Sequence, residues 1–210
     1  MVLDNYREVA DVILVPLARR FATVSPNALS AAGLAAAALA GIAFLFRGGW
    51  PLVFGALFAF LNAVFDALDG KVAKMTGKAS RRGDFLDHVL DRYADVLILG
   101  GITLGPFCSQ WPWLGLLAII GVLLTSYMGT QAQAVGQGRA YGGILGRADR
   151  LVLLFLGGLI QWIVAPSGGV TVGLGAAVFG PLEWFMVLFA VLGNVTAVQR
   201  ALKIWRGFPA

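Results

Sequence analysis

The chain is short of charge, of cysteine and of histidine. Only 13% of its 210 residues are Asp, Glu, Lys or Arg, about half the share of an ordinary soluble domain. That scarcity excludes a conventional water-facing surface. A lone cysteine, Cys108, excludes an intramolecular disulfide, and with no metal-ligand pattern around it the residue reads as packing. The lone histidine, His88, falls between Asp87 and Asp91. It points about 100° away from Asp87 on an ideal helix and reads as structural or as a support for the neighbouring carboxylates. Residues 1–25 hold Asp4, Arg7, Glu8, Asp11, Arg19 and Arg20. They lack an uninterrupted apolar core and a small-residue cleavage site, which argues against a secretory signal. No internal repeat and no low-complexity tail is visible. The net charge of +5 is too small and too dispersed to point to nucleic acid. It fits membrane orientation and anionic surfaces better.

What is present is apolar. Hydrophobic residues make up 59% of the chain and the mean hydropathy is +0.81. Several stretches approach the ~20 apolar residues that cross a bilayer. The expected fold is an all-α integral membrane protein, one domain over 1–210. Six spans are expected at 28–46, 51–74, 85–106, 111–135, 149–166 and 177–202, forming a bundle over 28–202. Turns are expected at Arg47–Pro51, Pro106–Trp113 and Ala165–Gly169. Of the 16 Lys and Arg, Arg47 alone falls in those three connectors. The others lie in 1–25, 71–92, 139–150 and 200–206, all on one side of a six-span bundle. The rule for cytoplasmic loops therefore places both termini on the inner face of a cell membrane. Residues 2–22 alternate differently. Val2, Leu3, Tyr6, Val9, Ala10, Ile13, Leu14 and Leu17 recur at helical spacing, with Asp4, Arg7, Glu8 and Asp11 opposite. This segment is expected to lie in the membrane interface; the alternative is a helix packed on the bundle.

Against that background stands DALDGKVAKMTGKASRRGDFLDHVLD. An ionised Asp at bilayer depth costs roughly 3 kcal/mol, so four of them require a cationic partner. Asp66 and Asp69 are three apart near the end of the second span. Asp87 and Asp91 are four apart at the start of the third. Each pair shares one helical face, and neighbouring helices can pool both pairs, as in metal sites at bundle cores. Oxygen ligands without His or Cys favour Mg²⁺, Mn²⁺ or Ca²⁺. Gly70 and Ala73 leave room beside the first pair for a bulky ligand. Gly77 and Gly83, with Lys74, Lys78, Arg81 and Arg82 nearby, make a cationic loop suited to a diphosphate. Asp84 reads as a helix-start residue. Asp95 reads as a support for Asp91 or a contact between helices. The bland alternative for the whole set is helix-end anchoring beside Lys and Arg.

Asp66, Asp69, Gly70, Ala73, Gly83, Asp87 and Asp91 together resemble the signature of the CDP-alcohol phosphotransferase family, with every spacing kept. Lys74 stands where that family usually has Arg; it keeps the charge and loses the bidentate fork. The resemblance covers the whole chain and implies a homodimer whose active site opens to the cytoplasmic leaflet. It implies two Mg²⁺ or Mn²⁺ ions on Asp66, Asp69, Asp87 and Asp91, with Asp91 also the general base. It implies that Gly70, Lys74 and Ser80 hold the CDP moiety, with Asp66 and Asp69 beside it. Asn27, Ala28, Leu29 and Ser30 resemble the family's nucleotide-contacting start of the first span.

A second cluster concerns the acceptor. Arg147 and Arg150 are three apart at the start of the fifth span, and Arg200 ends the sixth. Facing one cavity, they would bind a phosphate; singly, each could be an inner-face anchor. The pattern is similar to the branch making phosphatidylinositol phosphate and its archaeal ether-lipid counterpart. That branch carries charge in the fourth span where this chain has Gln131 and Gln133, which could hydrogen-bond a polyol. Asp149 is expected to pair with a neighbouring Arg. The expected reaction moves a lipid phosphate (phosphatidyl or archaetidyl) from a CDP-lipid to a phosphorylated polyol and releases CMP. Inositol phosphate and glycerol phosphate are close rivals, and a free alcohol such as serine comes third. From another class, an ion-coupled transporter also uses intramembrane Asp. Clustering near one membrane face and the lack of an inverted repeat argue against it.

Overall fold

The structure is a computed structural model and describes residues 7–138, 142–144, 146–164, 171–174 and 177–208. Residues 1–6 of the expected interfacial helix, Arg139 and the expected turn at Ala165–Gly169 lie outside the described residues. Seven helices are found among those described: α1 (Arg7–Arg20), α2 (Pro26–Phe44), α3 (Trp50–Met75), α4 (Arg81–Leu104), α5 (Pro112–Ala134), α6 (Arg147–Val164) and α7 (Pro181–Arg206).

Local chemistry sets their starts. Ser25 caps α2 by accepting the Ala28 N–H at 3.2 Å, and Ser80 caps α4 by accepting the Gly83 N–H at 3.1 Å. Proline opens or nearly opens α2, α3, α5 and α7, where its missing N–H is not needed. Gly49 turns the chain into α3 with φ +66°, a conformation that suits glycine.

The helices share one main core, with two smaller clusters beside it among the described residues. α2 packs on both α3 and α4, α3 on α6, α4 on α5, and α7 on α5 and α6. α3 and α4 touch only sparsely, so a gap is left between the two helices that carry the acidic pairs. The α2–α4 crossing is close enough to require glycine. A Cβ on Gly101 would lie 2.1 Å from the Gly41 carbonyl oxygen. α1 tucks Ala18 into a small cluster with Leu29, Leu68 and Val72, and Lys71 pairs with Asp11. Its other side exposes Val12 and Ile13, at 73% and 71%.

α2, α3, α5 and α7 are long and apolar enough to cross a membrane. α4 and α6 occupy the positions expected of the third and fifth spans, but their charged residues, from Arg81 to Asp95 and from Arg147 to Arg150, keep them outside that description. The last helix differs from expectation. It starts at Pro181, because 177–179 instead pair with Val172–Leu174 as a short antiparallel hairpin. Apolar composition could not separate strand from helix there. Trp184 Nε1 donates to the Val172 carbonyl at 3.2 Å, and Phe179 meets Trp184 edge-on at 5.4 Å, which seats the hairpin on α7. Cys108 is buried, as a packing residue should be.

Candidate active site

The start of α2, the end of α3 and the start of α4 enclose a cleft of about 160 Å³. Asn27, Ser30, Asp69, Gly70, Ala73, Lys74, Lys78, Ser80, Gly83, Asp84 and Asp87 line it, with Pro26 and Ala79. The expected nucleotide residues Asn27, Ser30, Gly70, Lys74 and Ser80 thus share one cleft. Ala28 and Leu29 do not line it. Leu29 is packed against Ala18, Leu68 and Val72, and the Ala28 N–H is spent on the Ser25 cap. A Cβ on Gly70 would meet nothing within 4 Å. That glycine therefore answers no packing need, and its place on the cleft wall fits the approach of a ligand.

Next to the cleft, Ser30, Gly33, Asn62, Asp66, Asp69, Asp87 and Asp91 line a second, smaller cavity. Both acidic pairs face it. Asp69 is only 5% exposed and accepts the Ser30 hydroxyl at 2.5 Å. One ligand atom each from Asp87, His88 and Asp91 falls within 4.8 Å of the others. His88 Nε2 lies 3.5 Å from Asp84 and Nδ1 3.9 Å from Asp87. Asp84 stands in the first turn of α4, as its position in the sequence implies. Four carboxylates converging on one confined space are a donor set for hard divalent cations. An implied magnesium or manganese centre therefore fits these residues.

The arginines meet this acidic wall from α6. Arg147 Nη1 lies 2.6 Å from Asp66 and Nη2 2.9 Å from Asp91. Nη2 also donates to Asn62 Oδ1 at 3.3 Å, and Nε is 3.8 Å from Asp95. Arg150 is buried and donates to Asp95 at 3.1 Å. Arg92 reaches the same carboxylate at 2.9 Å. Asp95 is thereby a hub for three guanidiniums. Arg200 stands apart. It donates to the Gly142 carbonyl at 2.7 Å and to the Thr125 carbonyl at 2.6 Å, tying α7 to α5 and to the segment before α6. Asp149 accepts the Gly146 N–H at 2.9 Å. Gln131 and Gln133 sit on the last turn of α5, half-buried and exposed respectively. Sequence reasoning missed Asn62. It lies one turn before Asp66, is buried, and also donates to the Gly33 carbonyl at 2.9 Å. An Asn four residues before an acidic motif on the same helix face was the available signal.

Three comparisons bear on this geometry. The sequence model of CDP-alcohol phosphatidyltransferases matches residues 23–202. The archaetidylinositol phosphate synthase of Methanothermobacter thermautotrophicus is 31% identical over 209 residues, covering 97% of this chain and 94% of that protein. The phosphatidylinositol phosphate synthase of Mycobacteroides abscessus is 31% identical over 203 residues, 92% of this chain and 84% of that one. Among solved structures, the Mycobacterium tuberculosis phosphatidylinositol phosphate synthase with CDP-DAG bound superposes with a TM-score of 0.72 at 26% identity, over 92% of this chain and 94% of that one. The same enzyme in complex with manganese and citrate gives a TM-score of 0.73 at 24% identity, over 91% and 88%, a likeness of fold.

Proposed function

The chain belongs to the CDP-alcohol phosphatidyltransferase family, and we propose that it moves a lipid phosphate from a CDP-lipid to a hydroxyl of inositol phosphate, releasing CMP. The observation that carries this reading is the convergence of Asp66, Asp69, Asp87 and Asp91 on one cavity beside a cationic cleft. Inositol phosphate takes precedence over glycerol phosphate because the relatives named above make inositol phosphate lipids.

In this reading Asp66, Asp69, Asp87 and Asp91 hold two Mg²⁺ or Mn²⁺ ions. Such ions neutralise a diphosphate and stabilise the departing CMP. The chain's own groups do the rest. Lys74 and Ser80, with Asn27 and Ser30 across the cleft, orient the nucleotide, and Gly70 lets it approach the α3 backbone. Asp91 takes the proton of the attacking hydroxyl. That oxygen bonds to the phosphorus bearing the lipid alcohol. The bond from this phosphorus to the bridging oxygen breaks, and its electron pair leaves with CMP. Arg147 is the first contact for the acceptor's phosphate. Arg150 and Arg200 supply positive potential behind it, and Gln131 and Gln133 meet the polyol. Fixed placement and charge neutralisation account for most of the rate.

The architecture follows the same reading. α2 to α7 are the six spans of one membrane domain, with α1 along the interface. The grouping of cations at the α3–α4 connector, before α6 and at the C-terminal end supports a cytoplasmic active site in the cell membrane. Two chains form a homodimer, as the family resemblance implies. The test is CMP release from one CDP-lipid with inositol phosphate, glycerol phosphate, inositol or serine as acceptor. The expected order puts inositol phosphate first and unphosphorylated inositol far behind. Equal rates with inositol and inositol phosphate would overturn the acceptor assignment.

A further inference from the structure

The motif signature ends at Asp91, and the acceptor arginines begin 56 residues later at Arg147. The structure puts the two in direct contact. One guanidinium from α6 reaches a carboxylate on α3 and another on α4, at 2.6 and 2.9 Å. Those two helices have little contact of their own, so Arg147 braces them across the gap. Its fork is held in place by Asn62 and faces Asp95. Asp66 and Asp91 are also two of the four proposed metal ligands.

We propose that Arg147 is shared between the two halves of the site, so that divalent-cation binding and binding of the phosphorylated acceptor strengthen each other. The proposal rests on the metal reading of the four carboxylates and on the acceptor reading of Arg147. A guanidinium and a divalent ion draw on the same oxygens of Asp66 and Asp91. The positive charge of Arg147, held at ion-pair distance from both, opposes a second cation there. A phosphate can take both arms of the fork bidentately, whereas Asp66 and Asp91 each meet only one arm. When the fork turns to the acceptor, the two carboxylates are left to the cations. When cations take the carboxylates, the fork is released to the acceptor. The coupling is reciprocal by thermodynamic necessity. Arg147 is therefore a positioning residue for the metal ligands as well as an acceptor contact. Asp95 keeps the fork within reach of both, being fixed on its other oxygen by Arg92 and Arg150.

The experiment measures Mn²⁺ binding to the full chain in detergent, by loss of the free Mn²⁺ resonance, with and without inositol phosphate. In the unaltered protein, inositol phosphate is expected to tighten Mn²⁺ binding about fivefold, the lower end of ordinary coupling. Arg147→Gln is expected to bind Mn²⁺ on the order of tenfold more tightly, from removal of a charge at close range. In that variant inositol phosphate no longer shifts Mn²⁺ affinity. Unchanged or weaker Mn²⁺ binding in Arg147→Gln overturns the proposal, as does an unaltered protein whose Mn²⁺ affinity ignores the acceptor. Arg147→Lys keeps the charge and loses the fork, and decides the question if the Gln variant does not fold. Its acceptor effect is expected to shrink, and a full effect overturns the proposal. Asp66→Asn and Asp91→Asn distinguish the two levels of failure. If they leave Mn²⁺ binding intact, the metal reading itself fails. If they weaken it while Arg147→Gln changes nothing, only the coupling fails.

Discussion

The proposed nucleotide side and the proposed acceptor side of the site are built on opposite plans. On the nucleotide side, Asn27, Gly70, Lys74 and Ser80 line an open cleft. On the acceptor side, each arginine is already engaged within the protein. Arg147 grips Asp66 and Asp91, Arg150 is buried on Asp95, and Arg200 holds two backbone carbonyls. In the cleft, Lys74 and Gly70 make no side-chain hydrogen bond or ion pair with other described residues that a substitution would break, whereas Ser80 also caps α4. The arginines are built into the packing, because removing one leaves buried partners short of a hydrogen-bond donor or of part of their counter-charge.

The largest expected effect breaks the junction of the two sides. Asp91→Asn keeps the shape and removes the base, and CMP release is expected to fall about 10²–10⁴-fold. A rate within a factor of two of the unaltered enzyme would take the base role from Asp91. Next, Arg150→Ala is expected to lower stability by about 3 kcal/mol, the low end for breaking a buried pair, because Arg92 still meets Asp95. Lys74→Ala, on the open side, is expected to leave the melting temperature in detergent unchanged. Equal thermal shifts in both variants would erase the contrast. Gly70→Val sharpens it further. No atom stands in the way of its Cβ, so no clash at that atom opposes the fold. The side chain nonetheless intrudes on the proposed CDP site, and KM for the CDP-lipid is expected to rise about tenfold, the cost of a 1.4 kcal/mol loss. The smallest effect is Lys74→Arg, which restores a bidentate fork and is expected to lower the CDP-lipid KM a few-fold.

The same contrast governs what the amino-acid sequence alone makes legible. The nucleotide side lies largely in one continuous stretch, from Asp66 to Asp91, and the spacing within it fixes which side chains share a helix face. Asn27, Ser30, Asp69, Gly70, Lys74 and Ser80, all expected there, line the cleft; Ala28 and Leu29 do not, because a contiguous segment is expected to face the ligand but helical geometry turns Leu29 into the core. The acceptor side is assembled from α3, α4 and α6. The pairing of Arg147 with Asp66 and Asp91, and of Arg150 with Asp95, depends on how distant helices stand against each other, which spacing does not encode. For Asn62 only its place one turn before Asp66 is legible; its partners, Gly33 and Arg147, lie on other helices. The seven helices lie near their expected positions because apolar runs, proline starts and serine caps are local signals. The pairing of Val172–Leu174 with Ala177–Phe179 is not legible in this way, since these apolar residues satisfy strand and helix patterns alike.

Equilibrium Mn²⁺ binding, counted per chain, tests the central claim that both acidic pairs act as one cation trap. Two ions are expected in the unaltered protein, and loss of at least one when Asp69 or Asp87 becomes Asn, together with loss of CMP release. Undiminished CMP release from the unaltered protein after exhaustive chelation would contradict the account.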